Sequence, residues 1–340
     1  MTEFIKINKE NSDIVLKKAA EIISNGGLVA FPTETVYGLG ADGLNTDAVK
    51  NIYVAKGRPS DNPLILHISK KEELDRLVKE INATAKVLMD KFWPGPMTLV
   101  FKKSDIVPDV ISGGLDTVAV RLPENEIARE LISYSGTPIA APSANTSGRP
   151  SPTKAEHVFE DLDGKIEMII DGGSCDIGLE STVIDVTEST PVILRPGKVS
   201  FEDIKELFPD VLYDKHLTEK VAVSKPKSPG MKYKHYAPKG ELYILDGEND
   251  VVTKYINENL NENTAVLVFS EFVHSFENAY SLGNFSSPEE GSSKLFDILR
   301  DCDTKGYTKI LAQMPNKSGV GFALYNRMLK AAGGKIIELK

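Results

Sequence analysis

The chain has 340 residues, 40 of them Lys or Arg against 49 Asp or Glu, for a formal net charge of −9. That length holds roughly two domains, and the acidic balance argues against bulk electrostatic binding to nucleic acid or anionic membrane. No apolar run approaches the roughly 20 residues a membrane helix needs. MTEFIKINKE lacks a signal-peptide pattern, and Cys175 and Cys302 lie too far apart to suggest a zinc or disulfide framework, so a cytoplasmic protein with reduced thiols is expected.

Ser12 and Asp13 cap a predicted helix with Val15, Ala19, Ile22 and Ile23 at helical spacing, and Gly26-Gly27 stops it. LVAF then reads as a buried strand ending at Pro32. Thr46 caps a second helix running to about Lys56, and NPLILHI follows as a strand. Further strands are expected at MTLVF, TVAVRL, PIAA, EMIID, STVIDV and PVILR, with helices near 70–80, 82–92, 124–134 and 153–161. A Thr153–Glu156 capping box opens the last of these. Helices and strands alternate loosely, and some strands follow each other directly, which predicts a mixed α/β sheet.

The periodicity fails from about 212 to 240. It resumes with ELYIL, a helix near 249–260, TAVLVF, a helix near 289–302, TKILAQ, a helix near 319–331, and KIIEL. This is the pattern of a small parallel-sheet α/β domain. The chain therefore divides into a first domain over 1–211, a connector over 212–240 and a second domain over 241–340.

Gly38, Gly40 and Gly43 spell G-x-G-x-x-G, but Leu44 and Asn45 separate them from the next helix, so a dinucleotide site is not expected. No P-loop and no H-E-x-x-H motif occurs. The arginines are more informative. Arg58, Arg149 and Arg195 each precede proline in glycine-bearing turns, and Arg121 closes TVAVRLP. Four fixed guanidinium groups suit phosphates and carboxylates; the alternative is four solvated loop arginines. APSANTSGRPSPT, residues 141–153, is a Ser- and Gly-bearing loop running into a helix, either an anion site or a plain polar loop. SPGMKYKHYAP, residues 228–238, sets Tyr233, His235 and Tyr236 among lysines inside the connector.

PTETVYGLG, the Lys56-x-Arg58 pair, FWPGPMT, Ser143-x-Asn145 with SGRPSPT, and GLESTVID closing on RPG together resemble the threonylcarbamoyl-adenylate synthase family, over residues 10–200 and without departure at a signature position. SPGMKYKHYAP and the small C-terminal domain resemble the family's long, two-domain form. The resemblance implies a twisted mixed sheet around a concave active site (YrdC-like), followed by a small Rossmann-like parallel α/β domain. It implies an L-threonylcarbamoyladenylate synthase, a nucleotidyltransferase that joins L-threonine, bicarbonate and ATP and releases pyrophosphate. A downstream transferase then passes the group to the tRNA adenosine beside the anticodon.

By this resemblance Thr35, His67, Arg121, the Ala141 backbone and Ser181 hold threonine. Lys56, Arg58, Asn62, Thr117, Ser143, Ser151, Arg195 and Tyr236 hold ATP, and Asn145 completes a catalytic set with Lys56, Arg58 and Ser143. Mg²⁺ would ride on the ATP phosphates, with no metal ligand from protein side chains. The connector would be a lid over this site. Two other functions are weighed beside it: an RNA- or tRNA-binding module without ATP turnover, which the net charge disfavours, and a carbamoyl-transfer maturation factor, whose acylphosphatase and zinc-finger segments this chain lacks.

Overall fold

A computed structural model of the chain describes residues 1–219, 226 and 235–340. Tyr233 and the lysines at 225, 227, 232 and 234, central to the expected lid, lie outside the described residues. The chain divides into two units. One comprises Met1–Ser147, Ser151–Asp176 and Glu180–Tyr233; the other comprises Lys234–Lys340 with Gly148–Pro150 and Ile177–Leu179.

The first unit is built on strands β1 (Glu3–Lys6), β2 (Val29–Phe31), β3 (Gly38–Asp42), β4 (Ile65–His67), β5 (Met97–Lys102), β6 (Thr117–Arg121), β7 (Ile139–Ala140), β8 (Met168–Asp171), β9 (Thr182–Asp185), β10 (Val192–Arg195) and β11 (Leu212–Tyr213). They form one mixed sheet in the order β1-β8-β2-β3-β7-β4-β6-β5-β9-β10-β11. The N-terminal strand β1 pairs in parallel with β8, Glu3 opposite Met168. Its helices are α1 (Ser12–Ser24), α2 (Thr46–Lys56), α3 (Ala83–Phe92), α4 (Asp109–Ser112), α5 (Glu126–Ser135), α6 (Ala155–Leu162), α7 (Phe201–Leu207) and α8 (Lys215–Thr218).

Side chains alternate across the sheet, as strand geometry requires. Val29, Phe31, Met168 and Ile170 pack with residues of α1 and α5 on one face. Ala30, Leu39, Leu66, Leu99, Val120 and Ile184 join a larger cluster with α2, α3 and α6 on the other. Gly38 and Gly40 lie inside β3, a strand their low β propensity conceals in the sequence. A Cβ on Gly40 would sit 2.8 Å from the Phe31 ring and 2.8 Å from Ile139, so packing, not a phosphate, demands glycine there.

Several local expectations are corrected. The cap of α1 is Asn11 rather than Ser12, with no side-chain hydrogen bond. The cap of α2 is Asn45, whose side chain accepts from the Asp47 and Ala48 N–H groups, one residue before Thr46. The helix expected near 70–80 is a short 3-10 turn, Lys71–Arg76, because Leu74 alone of its residues is buried. No capping box opens α6: its cap is Lys154, the Thr153 N–H donates to His157 Nδ1 at 3.3 Å, and the Thr153 hydroxyl has no partner among the described residues. Within the stretch read as connector, Leu212–Tyr213 pairs with β10 as an edge strand.

The second unit carries β12 (Glu241–Asp246), β13 (Thr264–Val268), β14 (Ala279–Ser281), β15 (Lys309–Gln313) and β16 (Ile336–Glu338), with α9 (Asn249–Asn259), α10 (Pro288–Thr304) and α11 (Val320–Ala331). Its sheet is wholly parallel in the order β14-β13-β15-β12-β16. Parallel strands with intervening helices make it Rossmann-like, although β15 separates the first two strands of the series. Within this unit Arg300 Nη2 donates to the Pro150 carbonyl at 2.7 Å, and the Ala237 N–H to that of Gly148 at 2.8 Å. Tyr236, at φ 65°, stacks on Phe296 with centroids 5.0 Å apart and lies under the Arg327 guanidinium at 5.7 Å.

Candidate active site

The candidate site grows from the part of the first sheet that carries β4, β6, β5, β9 and β10. Ile65, Ala119, Val100, Val183 and Leu194 share one face there and form a small apolar cluster that no helix residue joins among the described residues. Two-residue periodicity puts His67, Thr98, Thr117 and Arg121 on the same face. Register then aligns His67 with Arg121, and Arg121 with Thr98. Simple alternation from Ile193 would turn Arg195 away from this face. Instead the register shifts between Ile193 and Arg195, so that Ile193 pairs with Ile184 and Arg195 with Val183. A bulge of this kind re-aims a side chain, and here it brings a cation to the apolar patch.

The resulting row is buried and polar. Arg121, 4% exposed, donates from Nη1 to Thr35 Oγ1 at 2.9 Å, from Nη2 to Glu34 Oε1 at 2.5 Å and from Nε to the Gly95 carbonyl at 3.3 Å. Thr35 Oγ1 lies 2.8 Å from Thr33 Oγ1, whose hydroxyl donates to the Val36 carbonyl. Farther along, Thr98 Oγ1 and Ser181 Oγ are 2.7 Å apart. Arg195 donates from Nη2 to Ser181 Oγ at 3.1 Å and from Nε to the Ser181 carbonyl at 3.0 Å. The Ala141 N–H donates to the Ile65 carbonyl at 3.0 Å, which holds that backbone beside β4.

Burial decides the charges. It pushes His67 down to about 3, with help from the nearby Arg121 charge, so the imidazole is neutral at physiological pH. Burial also lifts the Cys175 thiol to about 12 and keeps it protonated. For Glu34 burial favours the acid, but the charge and hydrogen bond of Arg121 outweigh it and hold the carboxyl below its usual range.

A second group forms around the end of α2. Lys56, 2% exposed, donates from Nζ to the carbonyl oxygens of Ser143 and Asn145. Ser143 Oγ donates to Asn145 Oδ1, and the Ser147 N–H donates to the Lys56 carbonyl at 2.8 Å. An isolated bridge ties Ser143 to Gly38 at the start of β3. Gly57, left-handed at φ 60°, turns the chain so that Arg58 folds back to donate to the Asn62 carbonyl at 3.3 Å and the Pro63 carbonyl at 3.0 Å. The buried Asn62 Oδ1 has no hydrogen-bond partner among the described residues. Ser151 Oγ donates to Glu180 Oε1 at 2.6 Å.

The structure thus joins Thr35, His67, Arg121, Ser181 and Arg195 in one row, Lys56 with Ser143 and Asn145 in one knot, and Arg58 with Asn62 in one turn. Thr117 stands four residues from Arg121 on β6, about 13 Å away at strand rise. Tyr236 belongs to the second unit. Arg58, Arg121 and Arg195 are all buried, which rules out solvated loop arginines at these three positions. Sequence reasoning missed Glu34, Thr98 and Glu180 as members of these clusters. Glu34 and Glu180 stand inside PTETVYGLG and GLESTVID, and their buried carboxylates carry no spacing signal. Thr98 reads only as an alternate strand residue.

Two family models cover most of the chain. One, Sua5_yciO_yrdC, described as telomere recombination, matches residues 21–197; the other, described as threonylcarbamoyl-AMP synthase, C-terminal domain, matches residues 199–333. A threonylcarbamoyl-AMP synthase of Pyrococcus abyssi is 48% identical over 343 residues, covering 100% of both chains. One from Bacillus subtilis is 46% identical over 342 residues, covering 98% of each. The crystal structure of P. abyssi Sua5 complexed with L-threonine matches with a TM-score of 0.91 at 46% identity, covering 100% of both chains. With both halves matched in order and whole-length relatives near one-half identity, the chain belongs to the threonylcarbamoyl-AMP synthase family, in its form with a Sua5-type C-terminal domain.

Proposed function

We propose that this protein is a cytoplasmic nucleotidyltransferase that converts L-threonine, bicarbonate and ATP into threonylcarbamoyl-AMP and pyrophosphate. The product carries a mixed anhydride, so a transferase acting on tRNA adenosine must consume it directly downstream. The observation that best supports this reading is the pair of buried arginines, Arg121 and Arg195, joined through Thr98 and Ser181 across an apolar face that no helix covers among the described residues. Such an arrangement separates a carboxylate grip from a phosphate grip.

Threonine would lie at the Arg121 end, between the Thr35 and Ser181 hydroxyls, with neutral His67 and the Ala141 backbone beside it. ATP would extend towards Thr117 and the Arg58–Asn62 turn, where the unpartnered Asn62 Oδ1 can accept a hydrogen bond. Lys56, Arg58, Ser143, Asn145, Ser151 and Arg195 would surround its phosphates. Threonine's amine, once carboxylated, is a carbamate whose oxygen attacks the α-phosphorus as pyrophosphate leaves. An anionic nucleophile of this kind needs alignment and fixed positive charge more than a strong base. Lys56 and Arg195 are held by backbone carbonyls, so little reorganisation would remain for the reaction step. Mg²⁺ riding on the triphosphate would add charge neutralisation there.

The test is pyrophosphate release from ATP with each co-substrate omitted in turn. Release should require both threonine and bicarbonate, and turnover indifferent to threonine would refute the assignment. Serine should be the poorer substrate by roughly 1–3 kcal/mol, the worth of one methyl group in a fitted pocket.

A further inference from the structure

The row holds a fixed anion as well as a cation. Glu34, 7% exposed, accepts from Arg121 through Oε1. Its second oxygen faces backbone N–H groups, that of Asn125 at 3.4 Å, a length at which a hydrogen bond is weak. A guanidinium has five N–H donors. Glu34, Thr35 and the Gly95 carbonyl occupy three on Arg121, which leaves two for a ligand. Two titratable neighbours carry no charge: burial keeps His67 neutral and Cys175 a thiol. Arg195, the next cation, donates to Ser181, with Thr98 between that residue and Arg121. The buried ion pair at this end of the row is thus the Arg121 cation with the Glu34 anion. An anion docked on Arg121 would leave the Glu34 charge uncompensated, and an uncompensated buried charge is costly. A ligand with a carboxylate and an ammonium on adjacent atoms cancels both.

We infer that Glu34 makes this pocket selective for a zwitterionic α-amino acid, answering the substrate's α-ammonium while the remaining N–H groups of Arg121 take its α-carboxylate. The inference rests on the threonine pocket proposed above and adds the residue that recognises the amine. Glu34 thereby discriminates against hydroxy acids, which share the carboxylate and the side chain of threonine and lack its positive charge.

Calorimetric titration of the full chain with L-threonine and with 2,3-dihydroxybutanoate, its α-hydroxy counterpart, tests this. The native protein should bind threonine at least about tenfold more tightly. Glu34→Gln should weaken threonine on the order of ten- to a hundredfold, the worth of one hydrogen bond to a charged group, while binding the hydroxy acid as well as before or better. A purely structural role for Glu34 would weaken both ligands together. Glu34→Asp, which keeps the charge, should retain the preference and serves if the glutamine variant does not fold. Equal binding of the two ligands by the native protein, an unchanged ratio in Glu34→Gln, or a lost preference in folded Glu34→Asp overturns the inference. A native protein that binds neither ligand overturns the threonine pocket itself.

Discussion

Replacing Lys56 by methionine isolates the ammonium, because methionine keeps most of the apolar stem. Lys56 Nζ supplies two hydrogen bonds to the carbonyls of Ser143 and Asn145 at a position 2% exposed. Hydrogen bonds to charged groups contribute roughly 1.5–3 kcal/mol each, so their loss should cost about 3–6 kcal/mol. That is a large part of a typical stability of about 5–15 kcal/mol. Trp93, the single tryptophan, is buried in the same unit and hydrogen-bonded to the Met97 carbonyl, so its fluorescence reports unfolding of this unit in urea. With a denaturant slope near 3 kcal/mol/M, the midpoint should fall by about 1 M or more. Pyrophosphate release should drop on the order of a hundred- to a thousandfold, as for other losses of a preorganised donor. Arg76→Ala, on the exposed 3-10 turn, should alter neither quantity. A Lys56→Met midpoint within about 0.2 M of the native value, together with undiminished turnover, would show that the Lys56 knot neither braces the loop nor assists the reaction.

Gly197→Ala should lower kcat/KM for ATP and threonine at least about tenfold, because an added Cβ would lie 2.4 Å from the Thr182 N and 2.7 Å from its Oγ1, and overpacking next to Ser181 and Arg195 cannot be relieved without backbone shifts. Native steady-state constants for that variant would refute the close-approach reading. His67→Gln should flatten the dependence of stability on pH. The folded pKa of about 3 lies below the unfolded value near 6.5, so below pH 6.5 the unfolded chain takes up a proton that the folded chain refuses. Stability is then lost as pH falls from about 6.5 towards 3, by up to about 1.4 kcal/mol per pH unit from this residue. Equal slopes for native and variant protein between pH 4 and 6 in urea titrations would show that His67 protonates freely when folded.

The arginines of the candidate site were legible in the sequence because local chemistry marks them. Arg58 and Arg195 precede proline, and Arg121 ends an apolar alternation, so each announces the edge of a strand or turn. Their partners were not legible. Arg121 meets Glu34 and Thr35 across 87 and 86 residues of sequence, and only the order of strands in the sheet brings them together. Arg195 shows the limit of periodicity most directly. Two-residue alternation puts it on the wrong face, and a bulge, invisible in the sequence, reverses it. Strand β3 was hidden for a different reason: its glycines satisfy the contact with Phe31 rather than an intrinsic strand preference. At α6 the box pattern failed because the Thr153 N–H turns to His157 instead. Where a residue answers to its sequence neighbours, the pattern is readable; where it answers to another strand, it is not.

The pairing of β1 with β8 bears on how this protein is made. The strand partner of Glu3 is Met168, so about 165 residues must be synthesised before the first strand can join the sheet. At about 5–20 residues per second, that is a wait of roughly 8–33 s on the ribosome. Through that interval Phe4 and Ile5 travel without their partner strand, an apolar strand edge open to other chains. Strand β1 is therefore translated long before its partner and docks late, and a pause in translation before Met168 lengthens its exposure in direct proportion.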